Sequence, residues 1–356
     1  MRKALAESCG RLVAVALAGS WRHSPPVLEC SATELEEIAP LLLSSGAGAL
    51  AWWRIRHSAL RDVPAAQGLH QAYRLNTLQA ALQQRTIAQV ITRLRAVEIE
   101  PILVKGWAVA RLYPELGLRP RGDIDLCVRP EQFAAAEAAL RGLPAQRYGV
   151  DLHRGFEKFG GGSVEGCYAR SRLIKLGETE VRVLSAEDHL RVLSTHMLRE
   201  GAWRPVWLCD VAAAVESRPA NFAWASCLTE ERRLADWVSC ALRLAHQLLG
   251  ADIRNTPAAQ RSEALPGWIL PTILHEWAAA LPSMSQRHRA PMASYLRHPA
   301  GVWQGLRHRW PNPIEATVSL HGRFNALPRF PFQIGTCLAR AAKFVARLPK
   351  SLRAQG

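Results

Sequence analysis

Asp123-Ile124-Asp125 runs into Leu126-Cys127-Val128, and the alternation of the segment reads as a β-strand. Side chains alternate along a strand, so Asp123 and Asp125 share a face, with their Cα atoms about 6.5–7 Å apart. Carboxylates at that spacing can share metal ions. Two magnesium ions about 3.5–4 Å apart clamp the attacking and leaving oxygens in phosphoryl or nucleotidyl transfer. Val150-Asp151-Leu152-His153 also alternates and sets Asp151 beside His153 on one face. A third carboxylate there can hold a metal nearer the acceptor and take the proton of an attacking hydroxyl.

A bare Asp-x-Asp is common in surface turns and solvated strand ends, so the surrounding elements decide its weight. Upstream, Ile102-Leu103-Val104 is a short apolar run ending in Lys105-Gly106; helical spacing follows from Trp107 to Tyr113, and Pro114 stops it. Strand, glycine and helix in that order offer backbone N–H groups to a triphosphate. Downstream, the spacing predicts a helix over Glu131 to Leu140, a strand around Gly149 to His153, a loop at Gly160-Gly161-Gly162-Ser163 and a strand over Glu180 to Leu184. Such alternation implies an α/β core.

The rest of the chain reads as helical frame. Leu75, Leu78, Leu82, Val90, Leu94 and Val97 fall near a single helical stripe. Ser185 with Asp188 has the form of an N-terminal cap, and a helix from Trp237 through Leu244 and Leu248 stops at Gly250. These textures divide the chain into a helical region 1–98, a core 99–184, a helical region 185–283 and a basic segment 284–356, which finishes in a helix bearing Arg340, Lys343 and Arg347.

At roughly 150 residues per domain, 356 residues suggest about two domains. With 49% hydrophobic and 21% charged residues, wholesale disorder is excluded. Most of the formal charge of +15 lies in the last segment: residues 284–356 hold 12 Lys and Arg against Glu315 alone. The eight cysteines form no Cys-x-x-Cys pair, which points to reduced thiols and a cytoplasmic protein. Leu12 to Ala18 imitates a leader peptide but is separated from the initial charges by Glu7 to Arg11, so an internal helix is expected. No run of about 18 apolar residues predicts a transmembrane helix. Walker-type, His-Glu-x-x-His and Gly-x-Ser-x-Gly signatures are missing.

The segments Ile102 to Ala108, Leu112-Tyr113-Pro114, Arg119-Pro120-Arg121-Gly122-Asp123-Ile124-Asp125-Leu126 and Asp151-Leu152-His153 together resemble the nucleotidyltransferases of the DNA polymerase beta superfamily, specifically its bacterial branch of uncharacterised nucleotidyltransferases. The resemblance extends weakly to His196, Trp203, Trp207-Leu208-Cys209-Asp210 and Trp310-Pro311-Asn312-Pro313. It implies an α+β or α/β fold, a small polymerase-beta-type core with a mixed sheet embedded in a mostly helical chain. It implies that Asp123 and Asp125 bind the catalytic metals, two Mg2+ ions, with Asp151 as the third carboxylate. Gly106 would line the triphosphate site, with Lys105 and Arg119, and after them Arg121, near phosphate oxygens. His153 would touch the nucleotide or steer Asp151, against the plainer reading of a hydrogen-bonded residue ending a strand. His196 is expected as a core histidine, Asp210 as a buried acid hydrogen-bonded to backbone, and the twelve tryptophans as packing.

The function expected is transfer of a nucleoside monophosphate, AMP from ATP, to an acceptor that is a small molecule, peptide, protein or RNA, with release of pyrophosphate. Gly106-Trp107 replaces the superfamily's usual Gly-Gly or Gly-Ser pair. That bulk motivates a second reading, a non-catalytic nucleotide-binding accessory protein. The basic tail, suited to an anionic partner, motivates a third, an RNA-directed nucleotidyltransferase.

Overall fold

The computed structural model describes residues 2–141, 149–157, 163–228, 231–261, 263–279 and 310–353. The chain opens with α1 (Arg2–Leu17), α2 (Ala32–Ser44), α3 (Gly48–Ile55) and α4 (Pro64–Arg95). Val13, Ala14, Ala16 and Leu17 are buried, so the apolar run near the start is core packing in α1. A capping box of Ser31 and Glu34 begins α2.

Helix α4 connects the two halves of the molecule. Ala66 and Leu69 in its first turns belong to the helical core, whereas Ile87, Val90, Ile91 and Leu94 cover the sheet. Of the expected leucine stripe only Val90 and Leu94 are buried; Leu75, Leu78, Leu82 and Val97 are exposed. The correction has a simple cause: the middle turns of α4 pass between the two cores and cover neither.

The middle of the chain is β1 (Ile102–Leu103), α5 (Trp107–Ala110), β2 (Ile124–Val128), α6 (Phe133–Leu140), β3 (Val150–Arg154), α7 (Val164–Arg170), β4 (Arg172–Leu176) and β5 (Thr179–Val183). The described strands form one mixed sheet in the order β3-β2-β1-β5-β4. Strands β2 and β3 run parallel, as do β1 and β5, while β1 against β2 and β4 against β5 are antiparallel. Strand β4, which no alternation announced, completes a hairpin around Gly177, whose φ of +59° suits glycine. Ser163 caps α7; Gly160 to Gly162, expected as a loop, lie outside the described residues.

The two faces of the sheet are packed differently. Leu103, Ile124, Leu126, Val128, Val181 and Val183 face α4 and α6. Ile102, Val104 and Cys127 face Phe156, α7 residues Cys167 and Tyr168, and Val192. Because β2 is covered on both sides, the buried Asp125 needs polar partners.

The remaining described helices are α8 (Ala186–Arg199), α9 (Pro205–Glu216), α10 (Trp224–Leu228), α11 (Arg232–Leu249), α12 (Ile269–Ala278), α13 (Pro313–Ser319) and α14 (Phe330–Arg353). The Ser185 hydroxyl accepts the Asp188 N–H, and left-handed Gly250 ends α11, both as expected. Most of these helices share one apolar core with α1 to α3. All eight cysteines are free thiols. No described helix is long and apolar enough to cross a membrane.

Candidate active site

Register builds the site. Across the parallel pair β2 and β3, Asp125 lies opposite Asp151 and Cys127 opposite His153, so the carboxylates and the imidazole share one face. From the other side, Val104 donates its N–H to the Asp125 carbonyl at 3.0 Å, which delivers Lys105 to the same place. Lys105 Nζ is 3.1 Å from Asp125 Oδ1. His153 Nε2 reaches that oxygen at 3.1 Å and Asp151 Oδ2 at 3.2 Å.

Burial disfavours ionisation of Asp125, yet the His153 hydrogen bond and the Lys105 ammonium overcome it and hold the carboxyl below its usual range. Asp123 goes the other way. Partial burial and then the Asp125 and Asp151 charges raise its pKa, against opposition from Lys105 and Arg121. Arg121, exposed on the approach to β2, therefore contributes positive potential at Asp123. Buried Gln83 of α4 donates to the Gly122 carbonyl at 2.8 Å and fixes the entry to β2.

Gly106 has a φ of +63°, and a Cβ there would meet the Asp123 carbonyl oxygen at 2.9 Å. Glycine is required on both counts. Its neighbour Trp107 is buried in the core beneath the sheet with Leu103, Ile87 and Ile91, so the indole points away from the acids.

Arg119 is engaged by a different acid. Its Nε and a terminal nitrogen bond Asp210 at 2.8 and 2.9 Å, and the Tyr113 hydroxyl donates to Asp210 at 2.8 Å. Asp210 is thus buried as expected, but its partners are side chains rather than backbone, because Tyr113 and Arg119 from the segment after α5 bury against α9. Burial and the adjacent Asp210 carboxylate push the Tyr113 phenol well above its ordinary range.

His196 lies close to its expected core position, at the edge of the buried face of α8. It is half-buried, packs edge-on to Trp207 with ring centroids 4.9 Å apart, and feels the charges of Lys105 and Asp125. Burial, then the Lys105 ammonium, depress it to about 3, so it is neutral at physiological pH. His189, one heptad earlier on α8 and so near the same face, gave no sequence signal of its own. Nor did Arg111, Arg172 or Gln83, which are brought near the sheet end only by tertiary packing.

Asp125, Asp151 and His153 form a group whose potential ligand atoms lie within 4.8 Å of one another, and exposed Asp123 precedes them on the same strand face. Carboxylate oxygens predominate in this donor set, which fits a hard divalent cation, with His153 as an added nitrogen ligand or as the hydrogen-bond partner that orients the acids.

A family model described as an uncharacterised nucleotidyltransferase matches residues 31–166 and 145–250, together more than half of the chain. Comparison with curated proteins and with solved structures gives no match.

Proposed function

Since the chain belongs to the uncharacterised nucleotidyltransferase family, we propose that it moves a nucleoside monophosphate, AMP from ATP, onto an acceptor nucleophile and releases pyrophosphate. The observation that carries this proposal is the pairing of Asp125 with Asp151 across parallel strands, with Lys105 delivered from a third strand. In this proposal residues 99–184 are the catalytic core, regions 1–98 and 185–283 its helical frame, and 284–356 a basic appendage.

Asp123, Asp125 and Asp151 would hold Mg2+. Bound there, the ions supply charge neutralisation at the phosphates and activation of the attacking oxygen. Asp151, solvent-exposed at the head of β3, takes the proton of the acceptor at a carboxylate oxygen. The acceptor oxygen then bonds to the α-phosphorus while the bond to the pyrophosphate oxygen breaks. His153 bridges Asp125 and Asp151 and sets the rotamers of both. Lys105 has a charge-assisted contact with Asp125 that it can exchange for a phosphate oxygen, and Arg121 adds positive potential beside Asp123. Gly106 lets the phosphates approach its backbone closely. Arg119, engaged by Asp210, positions the segment leading to β2 and leaves direct phosphate contact to the other cations. Because Trp107 turns into the core, its bulk no longer favours a non-catalytic role.

Purified protein with Mg2+, labelled ATP and a screen of small-molecule, peptide, protein and RNA acceptors should yield a nucleotidylated product and equimolar pyrophosphate. Equal pyrophosphate formation by Asp125→Asn would refute the assignment.

A further inference from the structure

The last described helix, α14, carries two rows of side chains in different surroundings. At 3.6 residues per turn, Gln333, Thr336 and Arg340 fall along one side. That side holds the helix to the body: the Gln333 amide donates to the Pro311 carbonyl at 2.8 Å, the buried Thr336 hydroxyl reaches the Ala316 carbonyl at 3.4 Å, and Arg340 pairs with Glu315 of α13. Phe330, Ile334 and Leu338 recur every four residues on the far side, and they are 60, 39 and 66% exposed.

Neighbouring residues enlarge this apolar row and leave it open. Trp310, 44% exposed, packs its ring against Phe330 with centroids 6.2 Å apart, and exposed Leu320 lies against Gly335, where a Cβ would meet its side chain at 2.7 Å. Toward the C-terminus the sequence keeps the helical spacing with Ala341, Val345, Leu348 and Leu352. Arg340, Lys343, Arg347, Lys350 and Arg353 recur there every three or four positions, with no acid among them. Single exposed leucines are ordinary, but a row of apolar side chains along one side of a helix marks a binding surface.

Charge and apolarity together select the partner. A second copy of the chain would bring the same cations against these, at the cost of like charges facing one another. RNA phosphates would answer the cations but leave the apolar row in water. An anionic bilayer surface answers both: acyl chains receive the apolar row, headgroup phosphates receive Lys and Arg, and an indole such as Trp310 suits the boundary between them. No described helix is apolar enough to span a membrane, so the binding mode is a helix lying along the surface. We propose that α14 docks the protein onto an anionic phospholipid surface, with Phe330, Ile334 and Leu338 inserted and Lys343 and the cations that follow it at the headgroups. The proposal goes beyond nucleotidyl transfer and does not depend on it, because it uses no residue of the sheet.

Co-sedimentation of the full-length protein with vesicles tests this. The protein should pellet with vesicles of mixed phosphatidylcholine and phosphatidylglycerol, stay in solution with phosphatidylcholine alone, and be released as added salt screens the charges. Leu338→Glu puts a carboxylate into the acyl region and should weaken binding at least about tenfold. Lys343→Gln should weaken it about fivefold, the scale of one cation near an anionic surface. Both positions are exposed, so both variants should fold, which thermal melting checks; Lys343→Gln carries the test where Leu338→Glu does not fold. Equal pelleting with neutral and anionic vesicles, or affinity within about twofold of wild type in either folded variant, would overturn the proposal. Tight binding of single-stranded RNA that Leu338→Glu leaves intact, with anionic vesicles unbound, would overturn it in favour of nucleic acid.

Discussion

The two halves of the sheet end are built by opposite rules. On β2 and β3, Asp123, Asp125 and Asp151 come from alternating strands, and Lys105 and His153 satisfy Asp125 directly. Beside β5 and β4, Arg111, Arg172 and His189 come from three separate elements, and Arg111 Nε and His189 Nε2 have no hydrogen-bond partner. The difference teaches that the acidic half is organised around one carboxylate, Asp125, which both Lys105 and His153 contact, whereas Arg111, Arg172 and His189 engage no carboxylate among the described residues.

The largest expected effect breaks the acidic half. Asp125→Asn should lower nucleotidyl transfer by on the order of 10²–10³, the scale of losing one preorganised charge-stabilising group, measured as labelled product formation. His153→Asn removes the imidazole bridge between Asp125 and Asp151 but leaves the carboxylates, so metal affinity should fall about 10–100-fold. Manganese titration followed by electron paramagnetic resonance reads that loss; unaltered affinity would mean that the bridge positions nothing.

Gly106→Ala tests the turn between the halves. With φ at +63° and the new Cβ 2.9 Å from a backbone oxygen, the substitution should cost about 1–3 kcal/mol of stability by denaturant titration. A wild-type midpoint would show that the turn tolerates a side chain.

The smallest effect sharpens the cationic half. His189 titrates near 3 in the fold against an ordinary 6.5, so below about 6.5 the unfolded chain takes up a proton that the folded chain refuses. Stability should therefore be unaffected by this group above that pH and fall as pH drops from about 6.5 toward 3, by up to about 1 kcal/mol per pH unit. His189→Gln should flatten this slope in thermal melts at pH 7, 6 and 5; an unchanged slope would remove His189 from the account.

The same contrast explains what was legible in the sequence. Asp123, Asp125, Asp151 and His153 are close in sequence to the strands that aim them, and period-two alternation alone predicts that each pair shares a face. Their pairing across β2 and β3 is long-range, as is the arrival of Lys105. Arg119 illustrates the limit: its place in the motif suggested phosphate, but Asp210, distant in sequence, engages it in the fold. Leu75, Leu78 and Leu82 show the corresponding limit for packing, since periodicity marks a stripe without saying where along α4 a neighbour covers it. Trp107 was ambiguous for the same reason; only the packed sheet shows that its ring enters the core.

The central claim is that the acids make triphosphate binding depend on metal. Calorimetric titration of wild type and Asp125→Asn with a nonhydrolysable ATP analogue, with and without Mg2+, tests it most directly. The account predicts that Mg2+ tightens binding at least about tenfold in wild type and has little effect in the variant, in keeping with loss of a charged ligand. Binding that is indifferent to Mg2+ in wild type, or equally enhanced by it in Asp125→Asn, would contradict the account.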